Sequence, residues 1–172
     1  MAPSDRRDQV VVIADVSPSM EARDGGSREG KTRFQLLRDA LNQLPKEVKI
    51  ITFSGTVREV SNASQVNFID DFGGTALHLG IEVALKYKPV RTVIISDGEP
   101  DPENLATQAV DKITGIVDVV FCGDPKNAHA RSFLESLAKQ AMGGFYETGD
   151  QVDVTKQLPA VIAGLLGTGE RR

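Results

Sequence analysis

The chain has 172 residues, 40% of them hydrophobic, enough for one sizeable core but not for two independent domains. Its formal charge of -4 and pI near 5.2 come from acids and bases scattered along the whole length, so no basic stripe is available for a phosphate backbone and nucleic acid is not an expected partner. Cys122 is the single cysteine, which excludes an internal disulfide, argues against a thiolate metal cage and fits a reducing compartment.

Met1 to Gln9 is polar and charged, without the apolar segment of a signal peptide, and no apolar run is long enough to span a bilayer. The expectation is a cytoplasmic protein with no membrane partner. A single domain is expected over 1–172, its core over about 9–166, with flexible tails at 1–8 and 168–172.

The elements follow in chain order. Val10 to Ala14 is a continuous Val/Ile-rich run suited to a strand buried on both faces. Met20 to Lys31 is charged, glycine-rich and aperiodic, a surface loop whose Arg23, Arg28 and Lys31 could equally meet an acidic partner. Phe34, Leu37, Leu41 and Leu44 then recur at helical spacing until Pro45. Glu47 to Phe53 and Thr56 to Val60 read as strands joined by Ser54-Gly55, hence antiparallel. From Thr75 to Tyr87 an apolar stripe of helical period runs up to Pro89, and Val90 to Ser96 is the next strand. The alternation continues: a helix over Glu103 to Thr114, a strand over Val117 to Cys122, a helix over Ala128 to Met142, a short strand near Phe145 to Glu147, and a closing helix from near Leu158 to Leu166. This pattern predicts an α/β fold, a Rossmann-like doubly wound sheet, mostly parallel with one antiparallel edge strand and helices on both faces.

In such sheets ligands sit outside the carboxyl ends of the strands. Asp15, Ser17 and Ser19 follow the first strand, where alternate residues of an extended loop can converge. Asp97 follows the strand ending at Ser96, and Thr75 closes Phe72-Gly73-Gly74-Thr75, whose glycines permit a tight turn and a close approach. Three distant segments thus bring hydroxyl and carboxylate oxygens to one edge. A hard cation demands that donor set: two carboxylates roughly neutralise a divalent ion, and waters complete its shell. Singly, each segment reads as an ordinary turn; together with Thr75 they read as a site.

These residues resemble the von Willebrand factor A family. Its metal-ion-dependent adhesion site has the order Asp-x-Ser-x-Ser, Thr, Asp, matched here by Asp15-Val16-Ser17-Pro18-Ser19, by Thr75 after Gly73-Gly74, and by Asp97 in Ser96-Asp97-Gly98. The resemblance runs from about Gln9 to Leu166. It implies Mg²⁺, with Mn²⁺ or Ca²⁺ as alternatives, contacted directly or through water by Ser17, Ser19 and Thr75. Asp15 and Asp97 would hold the outer shell or a direct position. It further implies a protein partner whose Glu or Asp side chain completes the coordination, in the setting of an AAA-type ATPase or a multiprotein assembly.

Other polar residues have plainer readings. Asp101 and Glu103 suit the N-terminus of the following helix, and Asp70 and Asp71 a solvated loop. His78 and His129 lack a companion at metal-ligand spacing, and Cys122 reads as a small core residue. The competing classes are a metal-assisted phosphoryl transferase or hydrolase and a metal-free scaffold. A haloacid-dehalogenase-type enzyme would carry an acid where Ser17 stands, and neither a Gly-x-Ser-x-Gly elbow nor a Gly-x-Gly-x-x-Gly turn is present. A scaffold would keep two neighbouring carboxylates in mutual repulsion without a cation. Docking, with no enzymatic activity, is therefore the expected function.

Overall fold

The computed structural model describes residues 9–21, 32–66, 74–98, 100–147, 160, 162, 164 and 165. Strands β1 (Val10–Asp15), β2 (Lys49–Phe53), β3 (Val57–Val60), β4 (Arg91–Ser96), β5 (Ile116–Phe121) and β6 (Phe145–Glu147) form a sheet of order β3-β2-β1-β4-β5-β6. All neighbours are parallel except β2 and β3, which pair antiparallel at one edge. The predicted α/β fold is therefore the observed one.

The helices are α1 (Arg33–Leu41), α2 (Leu77–Leu85), α3 (Glu103–Asp111) and α4 (Ala128–Gln140). Side-chain alternation along β1 sorts them onto two faces. Val12 and Ala14 face Leu36, Leu37, Ala40 and Leu41 of α1, together with Ile162 and Leu165. Val11 and Ile13 face Leu77 and Ile81 of α2, Val110 of α3 and Leu134 of α4. Each fully buried Val or Ile contributes roughly 1.5–3 kcal/mol, so a one-residue slip of β1 would exchange two complete cores. Gly80 brings α2 unusually close, because a Cβ there would lie 2.8 Å from a methyl of Ile13.

The expected boundaries shift for local reasons. α1 stops at Leu41 rather than at Pro45: Gln43 N–H and Leu44 N–H bond back three residues and tighten the last turn, while Leu44 still packs on the core. β2 begins at Lys49 rather than Glu47, since Val48 N–H closes a turn on the Pro45 carbonyl at 3.1 Å. α3 ends at Asp111 rather than Thr114, its C-cap Lys112 bonding back to Ala109 and Val110. α4 ends before Met142, which takes the left-handed φ of 60° while Gly143 N–H reaches the Ala138 carbonyl at 2.8 Å. Ala160, Ile162, Gly164 and Leu165 are helical, as expected of the closing segment. Its start near Leu158, the two tails, Asp70, Asp71 and the loop residues Arg23, Arg28 and Lys31 lie outside the described residues.

Candidate metal centre

The reversal of strand order falls between β1 and β4, and their carboxyl tips carry the polar residues. Asp15 is the last residue of β1 and is fully buried; its carboxylate accepts from Ser17 N–H on Oδ1 at 2.8 Å and from the Ser96 hydroxyl on Oδ2 at 2.9 Å. The chain after Ser17 is not the extended loop that was expected. Pro18–Glu21 form a 3₁₀ turn, closed by Met20 N–H on the Ser17 carbonyl. The turn still brings the two hydroxyls together, with Ser17 Oγ 3.1 Å from Ser19 Oγ.

Ser19 Oγ donates to Asp97 Oδ1 at 2.9 Å, tying the end of β4 to the loop after β1 across 78 positions of sequence. Asp97 is itself buried, and the chain beyond β5 closes over its backbone: a Cβ at Gly123 would lie 2.1 Å from the Asp97 carbonyl oxygen. Asp15, Ser17, Ser19 and Asp97 therefore form one hydrogen-bonded cluster, with Ser17 almost buried and Ser19 exposed. It is open at the Ser19 side.

Thr75 comes to the same edge by its backbone. Ala76 N–H bonds the Ser54 carbonyl beyond β2 at 2.7 Å, and Asp101 N–H bonds the Thr75 carbonyl at 3.0 Å beyond β4. Thr75 does not begin α2. Leu77 N–H bonds the Thr75 carbonyl around Ala76 at φ −80°, ψ 61°, an inverse γ-turn that sets Thr75 just ahead of the helix. Gly74 is needed beneath it, with φ 109° and a virtual Cβ 2.9 Å from Gly55 Cα; Gly73 lies outside the described residues. The hydroxyl of Thr75 takes no part in the hydrogen bonds that join the other four residues.

Two residues of the cluster had no signal in the sequence. Ser96 is a buried strand residue whose hydroxyl orients Asp15. Arg33, at the first position of α1, places Nη1 2.8 Å from Asp97 Oδ2 and 3.4 Å from the Ser19 carbonyl, with its side chain only 8% exposed. The nearest clue to Arg33 was local: Thr32 and Gln35 form a capping box that fixes where α1 begins and hence where Arg33 points.

Burial, and then the charge of Asp97, push the Asp15 carboxyl from an ordinary 3.8 up to about 7, against the hydrogen bonds from Ser17 and Ser96 that favour its ionised form. The second buried carboxyl beside Asp97 is the feature against which a cation can be tested. The donors fit a hard ion: two carboxylates and a row of hydroxyls, with no imidazole or thiolate among them. Among the described residues no group of three His, Cys, Asp or Glu side chains gathers as a cage.

The remaining polar residues stay outside. Glu103 opens α3 and pairs with His129 at 3.1 Å on the surface, His78 lies on α2, and Cys122 is buried against Met20 at 4.0 Å. Burial, followed by the charges of Asp97 and Asp15, holds the Cys122 thiol well above its usual range. One further spacing needs its context: Gly25 to Thr32 reads Gly-x-x-x-x-Gly-Lys-Thr, the phosphate-loop pattern. A phosphate loop follows its strand directly, whereas here the 3₁₀ turn and the Ser19–Asp97 contact intervene after β1, and the Thr32 hydroxyl caps α1. Residues 22–31 lie outside the described residues.

No protein-family model matches the sequence, and no curated protein matches it. Solved structures do. A von Willebrand factor type A protein from Catenulispora acidiphila superposes with a TM-score of 0.65 at 16% identity, covering 93% of this chain and 43% of that one. The fold is that of a von Willebrand factor A domain. Manganese-loaded TRAP protein from Plasmodium vivax is similar at a TM-score of 0.58 and 14% identity, covering 88% of this chain and 73% of that one. This chain thus spans less than half of the Catenulispora protein. At these identities the likeness is one of fold, and the von Willebrand factor A arrangement accounts for why the tips of β1 and β4 lie side by side. No helix among the described residues is long and apolar enough to cross a membrane.

Proposed function

We propose that this domain is a divalent-metal-dependent docking module, without enzymatic activity, in which a partner's Glu or Asp side chain completes the coordination of the bound ion. The observation that carries the reading is the buried pair Asp15 and Asp97 at the open end of the sheet, linked through the Ser17 backbone N–H, which bonds Asp15, and the Ser17 and Ser19 hydroxyls, the second of which bonds Asp97. Ser17, Ser19 and Thr75 would hold the ion, while Asp15 and Asp97 would supply charge and orient the hydroxyls. When bound, the ion would act as a Lewis acid toward a carboxylate oxygen offered from outside. Mg²⁺ is the first expectation on abundance and hardness; Mn²⁺ is supported by the manganese-loaded neighbour of the same fold, with Ca²⁺ as the third candidate.

Docking is favoured over hydrolysis by the state of Asp15. It is wholly buried, and each of its oxygens already accepts a hydrogen bond from the chain itself, so the carboxylate is not exposed to a substrate as a nucleophile requires. The reading extends to a cytoplasmic setting, as part of a multiprotein assembly or beside an AAA-type ATPase.

Titration calorimetry with Mg²⁺ and Mn²⁺ tests the reading: saturable uptake is expected, lost in Asp15→Ala and weakened in Thr75→Ala with the fold retained. Absence of any divalent binding at millimolar metal would sink it. Uptake of a nucleoside triphosphate that disappears in Lys31→Ala would replace it with a nucleotide-binding function.

A further inference from the structure

We propose that Arg33 is the resident counter-cation of the Asp15–Asp97 pair and that it opposes the divalent ion, holding the metal affinity of the free domain low. This rests on the docking reading above but concerns a residue outside the Asp-x-Ser-x-Ser, Thr, Asp pattern. Arg33 Nη1 lies 2.8 Å from Asp97 Oδ2, while the other oxygen of Asp97 accepts from Ser19. Both Asp97 oxygens are therefore engaged by the chain's own donors. The guanidinium is nearly buried and sits at the first position of a helix whose start is fixed by the Thr32–Gln35 capping box, so it is held in place and does not sweep through solvent.

The charges decide the consequence. Among the described residues the cluster holds two carboxylates and one guanidinium, a balance of minus one when both acids are ionised. A divalent ion held by these residues would turn the balance of the described groups to plus one beside a guanidinium screened from water, where like-charge repulsion is strong. Two effects follow. The ion alone binds less tightly than the two carboxylates would otherwise allow, and the loaded site keeps a net positive charge that an incoming carboxylate neutralises. Arg33 thereby couples metal uptake to partner docking instead of letting the free domain saturate with metal.

The test measures Mn²⁺ affinity by calorimetry together with the melting temperature of chelated protein, for the natural chain, Arg33→Gln and Arg33→Lys. Arg33→Gln is expected to bind Mn²⁺ at least tenfold more tightly while its chelated form melts at a lower temperature. A merely structural arginine would lower both. Arg33→Lys keeps the charge and is expected to stay within about threefold of the natural affinity; a tenfold change in either direction would overturn the proposal even if Arg33→Gln does not fold. Equal or weaker binding by a folded Arg33→Gln would overturn the role of Arg33 and leave the docking reading intact. Binding by Arg33→Gln alone would uphold the role of Arg33 and overturn metal uptake by the natural chain, and no binding by either would overturn both.

Discussion

Two arginine–aspartate pairs lie at opposite ends of the same strand, and they are built for different purposes. At the amino end of β4, Arg91 Nη1 meets Asp118 Oδ2 at 2.7 Å, and the second oxygen of Asp118 accepts from Gly144 N–H at 2.8 Å. One carboxylate faces one guanidinium and one backbone donor, so charge and hydrogen bonding close on themselves and bolt β4, β5 and the approach to β6 together. At the carboxyl end Arg33 meets Asp97 at 2.8 Å, but Asp15 adds a second buried carboxylate. The first pair is complete; the second carries surplus negative charge beside hydroxyls that open toward solvent. A buried pair in a fold is thus not evidence of a site, whereas a buried pair with an unbalanced neighbour points to one.

The sharpest way to break this comparison is to remove Asp118. Asp118→Ala strands the partly buried Arg91 and leaves Gly144 N–H unpaired, and it is expected to cost about 3 kcal/mol in urea denaturation. That loss should be the same with Mg²⁺ or with chelator. A metal-dependent loss would mean that the two ends are not independent.

At the other end the sign reverses. The raised carboxyl of Asp15 makes the folded chain hold a proton that the unfolded chain releases from about pH 3.8 upward, so its contribution to stability falls as pH rises from about 3.8 to about 7 and is level beyond. Asp15→Asn, compared with the natural chain in chelator, should therefore be equally stable near pH 3.5 and more stable above pH 7, by on the order of 2 kcal/mol, from about 1.4 kcal/mol per pH unit discounted for relaxation. A constant difference across that range would remove Asp15 as a source of unbalanced charge.

Thr75→Ala addresses the ion more gently. It should weaken divalent binding by about tenfold, near 1.4 kcal/mol, while chelated stability changes by no more than about 0.5 kcal/mol, because the hydroxyl is outside the existing hydrogen-bond cluster. The smallest effect is expected of Thr32→Ala. Losing the cap of α1 should cost about 1 kcal/mol, read by thermal melting, and loosen Arg33 enough to move metal affinity slightly upward. A drop in affinity would contradict the opposition between Arg33 and the ion.

Much of this was legible in residue order. The Val/Ile run of β1, the Ser54-Gly55 connection, the helical stripes and the strand-end positions of Asp15, Ser17, Ser19 and Asp97 are all local patterns, and local patterns follow from strand and helix periods that a chain imposes on itself. Element ends were less legible, because they depend on which cap forms: the left-handed Met142 and the inverse γ-turn at Ala76 carry no distinctive residue type. The 3₁₀ turn at Pro18 replaced an extended loop for the same reason.

The sequence by itself thus determined the fold class and the chemistry of the donors, since both rest on side chains and their spacing along the chain. Only the tertiary structure decided the charge state of the place where they meet. Arg33 stands 64 positions before Asp97 and reads as one more helix-surface arginine until the packing of α1 buries it there. Ser96 reads as a strand residue until the parallel register of β1 and β4 turns its hydroxyl onto Asp15. Electrostatic energy depends on distance through space and on exclusion of water, and neither quantity exists until the chain has folded.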